Sequence, residues 1–432
     1  MRPKAIIYIL AVLAILLGAA LIFTTENYGE LLRPAAPSPT NTRGSTASPS
    51  RTPTRRPTAS PTFTPSNTPT QTPTSAFASV ADLVSIPAGG VNDLWVSAPG
   101  DLWVAAGNGL YRNTSGGAYQ RISDQVFSHI LGADDLGHLW AVSLDGGSIL
   151  SYNGVRWTAY SAGQGWNPVQ PQYLQEDLAV DAQGRIWLAT GADDLRLFDP
   201  AVGRWTSLSA VDIGFTAADP AYQGHYLTDA VIAPDGSVWV ADCEGQGEGF
   251  SGQGVRSLEA GTWKALDETA GQCVYDIRRD SLSRMWVGAF DEILRYNTIS
   301  GAWTEIPLPD WGHRQIVLSI ILDPAGSPWV GILRCGAASC NTLVYDFLQG
   351  GTWMPYLDET TDYTASPGLG FTPDGNAWIC HQGNLYRRSG PEGYVLYGSM
   401  AMGSCQVAVD GAGTVWVGAS SGPAAGLWQV KP

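Results

Sequence analysis

The sequence predicts an all-β protein whose main body is a β-propeller of eight four-stranded blades, carried behind an N-terminal transmembrane helix and a disordered stalk. Three observations predict it. A tryptophan-centred motif recurs eight times; the composition is rich in aromatics and glycine; and the chain before residue 78 shares neither feature. The 432 residues include 17 Trp, 17 Tyr and 51 Gly but only 5 Met. That balance suits many short strands joined by glycine turns rather than helices.

Residues 1–4 form a basic tip with Arg2 and Lys4, and residues 5–24 an anchor whose first 19 positions, Ala5 to Phe23, carry no charge. At 1.5 Å per residue such a helix just spans a hydrocarbon core. The basic flank is N-terminal, which predicts a cytoplasmic N-terminus, a single pass and an extracytoplasmic, cell-surface head. A cleaved signal peptide is the rival reading, but Gly18-Ala19-Ala20 runs on into Leu21-Ile22-Phe23 instead of stopping at a cleavage site. Residues 25–77 read as a stalk. From Pro34 to Thr74 it is almost wholly Pro, Ser and Thr, too poor in apolar side chains to fold. Extended as polyproline II at roughly 3.1 Å per residue, it would hold the head up to roughly 100 Å from the membrane. Such tracts also accept O-linked sugars.

Seven of the 24 Lys and Arg and two of the 39 Asp and Glu precede residue 82, leaving 17 against 37 and a net of −20 for the remainder. A body so acidic excludes nucleic acid and anionic lipid as partners, since both need a positive patch.

Within residues 78–432 the repeat has the form Asp-x-x-Gly-x-φ-Trp, with φ apolar. The clearest copies are Asp181 to Trp187, Asp323 to Trp329 and Asp410 to Trp416. Pro234-Asp235-Gly236 and Pro373-Asp374-Gly375 shorten the turn by one residue, and Asp280 to Trp286 puts Ser283 where the others have Gly. The motif tryptophans are 103, 140, 187, 239, 286, 329, 378 and 416, spaced 37 to 52 apart. An apolar alternating run precedes each copy, a Leu-aromatic run follows it, and several copies close on a second aromatic: Trp157, Trp205, Trp263, Trp303 and Trp353. Four short strands per unit of this length is the signature of a propeller blade. The Asp and Gly make the turn between the first two strands, and the motif Trp should pack between blades. The last unit stops after its third strand. The run Ala81–Ile86 is therefore expected to supply the missing fourth and close the ring. Eight blades follow if every copy counts, seven if one is an insertion.

The phrase Gly-x-φ-Trp-Val-Gly followed by Gly-Leu-x-Arg-Tyr, best matched around Trp286, Trp329 and Trp416, resembles the two-component-regulator propeller repeat and its relative, the streptogramin-lyase propeller. The resemblance covers residues 80–432 and lies on scaffold positions, so it implies the fold more strongly than an activity. In the first group it implies an extracytoplasmic sensor module. In the second it implies a His-assisted, magnesium-dependent lyase, for which this chain offers no matching His/Glu pair.

The six cysteines are 243, 273, 335, 340, 380 and 405. Outside the cytoplasm an even count favours disulfides. Cys243 and Cys380 follow a motif Trp at the end of a second strand, and Cys273 and Cys405 open the first strand of the next blade. These positions share a rim of adjacent blades, which predicts the pairs 243–273 and 380–405. Cys335 and Cys340 lie in one loop and can clip it shut. The same rim receives the long segments Ser161–Gln172, Ser209–His225, Asp242–Gly254, Pro307–Arg314 and Gly331–Asn341. They and their neighbours supply Trp166, Tyr173, His225, Tyr226, Trp311 and His313 as ligand-binding candidates, beside many carboxylates. Exposed aromatics near carboxylates can stack on a sugar or hold a cationic group.

Few motifs of chemistry occur. No pair of histidines has metal spacing. His381, after Cys380, is the one weak candidate for a general base. Asp242, Glu244 and Glu248 could offer oxygens to Ca²⁺ or Mg²⁺, although a solvated loop is the favoured reading and no other cofactor is expected. The expected function is thus a monomeric, membrane-anchored binding, sensor or scaffold module acting through its long-loop face on a protein, glycan or small molecule. The alternative is a streptogramin-lyase-like lyase or hydrolase at the central opening.

Overall fold

A computed structural model of the chain describes residues 77–79, 90–114, 119–175, 177–216, 224–244, 251–310, 314–335, 340–348, 352–360, 368–381, 383–388, 394–399, 405–422 and 425–430. Their strands form eight four-stranded antiparallel sheets, and the helical content among them is three short 3₁₀ turns. Strands are lettered A to D in chain order within a blade. Blades 1 to 7 run 91–123, 127–160, 179–209, 225–265, 277–307, 315–360 and 368–399. Blade 8 takes Cys405–Val409, Val415–Ala419 and Gly426–Val430 from the C-terminal end of the chain and its strand D from the N-terminal side.

That closing strand is Phe77–Ser79, with Phe77 opposite Val430 and Ser79 opposite Trp428. Closure from the N-terminal side was expected, but from residues 81–86, which lie outside the described residues. The first described strand of the propeller thus starts at Phe77, inside the span assigned to the stalk. Strand D is held by backbone hydrogen bonds, so side chains say little about which of two adjacent extended segments will pair. The anchor at 5–24 and the rest of the stalk lie outside the described residues, among which no helix is long and apolar enough to cross a membrane.

Eight hydrophobic clusters each straddle two neighbouring blades, and each holds one of the eight motif tryptophans. The ring is thus sealed by one repeated contact. In five interfaces, from blades 1–2 to blades 5–6, the motif Trp of one blade shares its cluster with the strand-D Trp of the next. Trp187 meets Trp263 with ring centroids 6.2 Å apart, and Trp239 meets Trp303 at 5.9 Å. Tyr119 takes that place against Trp416 between blades 8 and 1, at 5.9 Å. Between blades 7 and 8 the fourth strand is the three-residue Phe77–Ser79. There a hollow of about 590 Å³ opens beside Trp378, Arg387 and Tyr397 and the A–B turns of both blades.

The motif Asp does more than turn the chain. Asp181 Oδ1 accepts the amides of Gln183 and Arg185, both at 3.0 Å, while Oδ2 accepts the Trp187 indole N–H at 2.9 Å. Asp280 and Asp410 repeat the pattern onto Trp286 and Trp416, each at 2.9 Å. The turn glycines have φ between +72° and +80° at Gly184, Gly326 and Gly413, and Ser283 is forced to φ +60° in the degenerate copy.

The first strands are linked by a second repeated device, in which a carboxylate receives an amide of the next blade. Asp93 accepts Ile130 N at 2.7 Å, Asp229 accepts Ile277 N at 2.8 Å and Asp276 accepts Ile320 N at 2.5 Å. Arg278 Nη1 reaches Asp177 of the segment leading into blade 3 at 2.5 Å, and its Nε donates to Ile320 O of blade 6 at 3.0 Å. One guanidinium thereby ties the blade 3 side of the ring to blade 6.

Candidate functional site

Antiparallel A–B–C–D meanders place the A–B and C–D turns on one rim, and the B–C loops and blade-to-blade connections on the other. The second rim is the elaborated one. Both disulfides among the described cysteines lie there, Cys243–Cys273 and Cys380–Cys405, with the predicted pairing. Cys335 and Cys340 are directly opposite in register at the ends of strands Pro328–Cys335 and Cys340–Leu348; their side chains lie outside those described. Two segments expected to be loops turn out to be extended hairpins. Strand B of blade 4 continues through Glu244 and that of blade 6 through Cys335.

The extension in blade 4 builds the main polar cluster. Strand A, His225–Ile232, pairs with strand B, Val238–Glu244, so that His225 lies opposite Glu244 and Leu227 opposite Asp242. Side chains two apart in a strand share a face. His225, Asp242 and Glu244 therefore converge. His225 Nδ1 is 2.8 Å from Asp242 Oδ1 and 3.4 Å from Glu244 Oε1, with side-chain exposures of 3%, 0% and 5%. His225 Nε2 lies 2.7 Å from the Thr216 carbonyl, which can only accept, so Nε2 carries a proton. Gln253 holds both carboxylates: its backbone N–H donates to Asp242 Oδ2 at 2.9 Å and its side-chain amide to Glu244 Oε1 at 2.7 Å. The Gln253 side-chain oxygen Oε1 in turn accepts Thr216 N at 2.8 Å and Thr216 Oγ1 at 2.9 Å.

Burial works against a charged imidazole here. The Asp242 hydrogen bond and charge, the Thr216 carbonyl and the Glu244 charge outweigh it and push His225 up to about 9. Burial also raises the Asp242 carboxyl, with the His225 and Gln253 hydrogen bonds pulling only partly the other way. The Cys243–Cys273 disulfide lies between the two carboxylates in sequence and fastens strand B to the segment entering blade 5. Val274 N donates to Asp242 O at 3.0 Å, and a Cβ on Gly252 would fall 2.8 Å from Cys273 Cα. This hairpin and connector are in direct backbone contact.

The other predicted site residues are not gathered with these three. Trp166 is fully buried. It donates to Gly146 O at 3.1 Å and packs edge-on against Trp205 at 5.1 Å, so it seals the blade 2–3 interface and is not available to stack on a ligand. Apolar pairing with Trp205 outweighs any surface role. Tyr173 is 51% exposed on the rim. Tyr226 is half-buried and points to the face opposite His225. His381 is buried at the end of strand B of blade 7. Trp311, His313 and Glu248 lie outside the described residues. Sequence reasoning named Asp242 and Glu244 together and His225 apart from them, and missed that the three converge, as well as Gln253 and Thr216. The signal was strand pairing, hidden because Asp242–Gly254 was read as loop.

Besides Tyr173, the rim exposes Leu144 and Val211, at 58% and 61%, on blades 2 and 3. A shallow hollow of about 360 Å³ lies beside Leu144, lined also by Gln125, Val126, Ser143 and Asp145. The opposite rim exposes Leu136, Val155, Val202, Leu282 and Ile299, each at a tight turn.

Eight circularly closed four-stranded sheets define the class of the protein as an eight-bladed β-propeller. No family model and no curated protein matches the chain. Among solved structures, the two groups that the repeats resemble recur. The chain is similar to the extracellular domain of BT4673 from B. thetaiotaomicron, assigned to the one-component or hybrid two-component systems, at 13% identity and a TM-score of 0.42, covering 79% of this chain and 51% of that one. The extracellular domain of the hybrid two-component system BT3049 gives 15%, 0.37, 77% and 50%. Virginiamycin B lyase from Staphylococcus aureus gives 14%, 0.43, 70% and 94%. The chain thus spans about half the length of the sensor domains it matches. The propeller assignment rests on the eight sheets and their interfaces.

Proposed function

We propose that the protein is a membrane-anchored, extracytoplasmic binding propeller that engages its ligand through the loop rim of blades 2 to 4. The observation that carries this reading is the one-sided elaboration of the ring. Disulfides, 3₁₀ turns, the buried polar cluster and the exposed Tyr173 all occupy the rim of the B–C loops, while the other rim is made of tight turns. A rigid ring presenting adaptable loops is a general arrangement for recognition. Carboxylates such as the exposed Asp193 and Asp212 make the rim hostile to anions. An accessible tyrosine on the same rim suits a carbohydrate or a cationic group. The anchor and stalk would hold this surface away from the membrane, and disulfides fit an oxidising compartment.

The test is a thermal-shift screen of the purified full chain against neutral glycans, cationic peptides and anionic glycans. A rise in melting temperature with a neutral or cationic class, absent with anions, is expected, because a ligand that binds the native state stabilises it. Stabilisation by anions alone would contradict the proposed rim.

A further inference from the structure

We propose that His225, Asp242 and Glu244 form a binding site for one first-row divalent cation of the Zn²⁺ or Mn²⁺ class. His225 Nε2 faces the Thr216 carbonyl at 2.7 Å and must donate to it. The second ring nitrogen, Nδ1, then points its remaining valence at two carboxylate oxygens, 2.8 and 3.4 Å away. In a neutral imidazole that valence is a lone pair, and a lone pair aimed at two carboxylates is repulsive. The geometry therefore calls for a proton, on Nδ1 or on a facing carboxyl, or for a metal ion between Nδ1 and the oxygens.

None of the three side chains is more than 5% exposed, so a cation held among them is shielded from water. Buried charge without full compensation is costly. Arg256 supplies one compensating charge close enough to act on Asp242, while its guanidinium donates to Gly214 O at 3.0 Å and lies over the Phe215 ring at 4.8 Å. A divalent cation on a neutral His225 would balance the two carboxylates of the cluster. The three ligand atoms already lie within 4.8 Å of one another. The 3.4 Å separation matches the edge, about 3.4 Å, of a tetrahedron around an ion with ~2.0–2.2 Å bonds. The 2.8 Å separation is that of a hydrogen bond and would open by about half an ångström as the proton leaves.

The surroundings have the form of a metal site's outer sphere. A ligating imidazole normally donates its other N–H to a carbonyl or carboxylate, which fixes the tautomer. Thr216 O does this for His225. Ligating carboxylates are themselves hydrogen-bonded, and Gln253 serves Asp242 through its backbone and Glu244 through its side chain. One imidazole with two carboxylates is a mixed nitrogen and oxygen set. It favours Zn²⁺ or Mn²⁺ over Ca²⁺, which takes six to eight oxygens. Three protein ligands leave one position of a tetrahedral ion for water or a ligand group. The inference concerns the cluster's own chemistry and stands whether or not the rim binds an organic ligand.

The test uses the purified full chain, stripped with chelator and titrated calorimetrically with Zn²⁺, Mn²⁺ and Ca²⁺. Expected are one Zn²⁺ or Mn²⁺ per chain with a rise in melting temperature, and Ca²⁺ at least tenfold weaker. His225→Gln and Asp242→Asn should abolish the event, Glu244→Gln should weaken it at least tenfold, and His381→Ala should leave it intact. X-ray absorption of the Zn²⁺-loaded wild-type chain, which needs no variant to fold, should show a single imidazole nitrogen with oxygen neighbours. Absence of saturable one-to-one binding, binding retained in His225→Gln, or a zinc sphere with several imidazoles or with sulfur would overturn the proposal.

Discussion

The indole N–H of Trp187 donates to Oδ2 of Asp181 at 2.9 Å, joining the turn of its motif to the residue that seals the blade 3–4 interface. The same carboxylate organises the turn through two backbone amides. Turn and interface are therefore a single unit, repeated at Asp280–Trp286 and Asp410–Trp416. Burial opposes ionisation of Asp181, but the Trp187, Arg185 and Gln183 donors outweigh it and hold the carboxyl below its ordinary range.

Replacing Asp181 by Ala removes acceptors from buried donors and should cost about 3 kcal/mol. A double-mutant cycle with Trp187→Phe should show coupling of about 1 kcal/mol or more, read by urea unfolding. Because the folded carboxyl is depressed, its contribution is complete above the ordinary carboxylate range. It is lost as pH falls through the folded value. Asp181→Asn should remove that part of the acid sensitivity.

Ser283 adopts φ +60° where the other full-length copies have glycine. A non-glycine residue in the left-handed region costs roughly 1 kcal/mol. Ser283→Gly should therefore raise stability by up to about 1 kcal/mol, measurable as a higher melting temperature, with no change in the fold.

Asp229 and Asp276 bind the amides of the next blade from buried positions. Burial, and then the charge of Asp276, raises Asp229 well above the ordinary carboxylate range; burial likewise raises Asp276, with Arg278 opposing. A carboxyl raised on folding contributes stability that is complete below its unfolded value and is lost as pH rises through the folded one. The protein should lose stability from about pH 4 toward neutrality on this account. Asp229→Asn should flatten that slope in melting curves recorded across pH.

Cys243–Cys273 closes a 30-residue separation. Its removal in the Cys243→Ser, Cys273→Ser chain should cost about 3 kcal/mol. Since the disulfide holds strand B beside Asp242 and Glu244, amide hydrogen exchange should rise first around residues 240–244 and 252–255. Loss of protection spread evenly over all blades would contradict this placement.

The ring was legible because its seal is a single residue type at a fixed motif position: all eight motif tryptophans pack between blades. Rim disulfides were legible for a related reason, since strand order alone fixes which strand ends share a rim. Features that depend on distant partners were not. Trp166 was indistinguishable from an exposed aromatic until Trp205 was seen beside it. The placing of the closing strand at Phe77–Ser79 rests on backbone pairing that side chains do not encode. His225 and Glu244 meet only because blade 4's first hairpin runs past its expected end, and the acidic, glycine-rich sequence after Asp242 gives no strand pattern to show it.

The most direct test of the account compares ligand-induced thermal shifts in two variants of the full chain. One carries Tyr173→Ala and Val211→Ser on the loop rim, the other Val202→Ser and Ile299→Ser at tight turns of the opposite rim. The account predicts that the shift given by a neutral glycan or cationic ligand disappears in the first variant and persists in the second. Loss in the second with retention in the first, or no shift of the wild-type chain with any ligand class, would contradict a binding role for the loop rim.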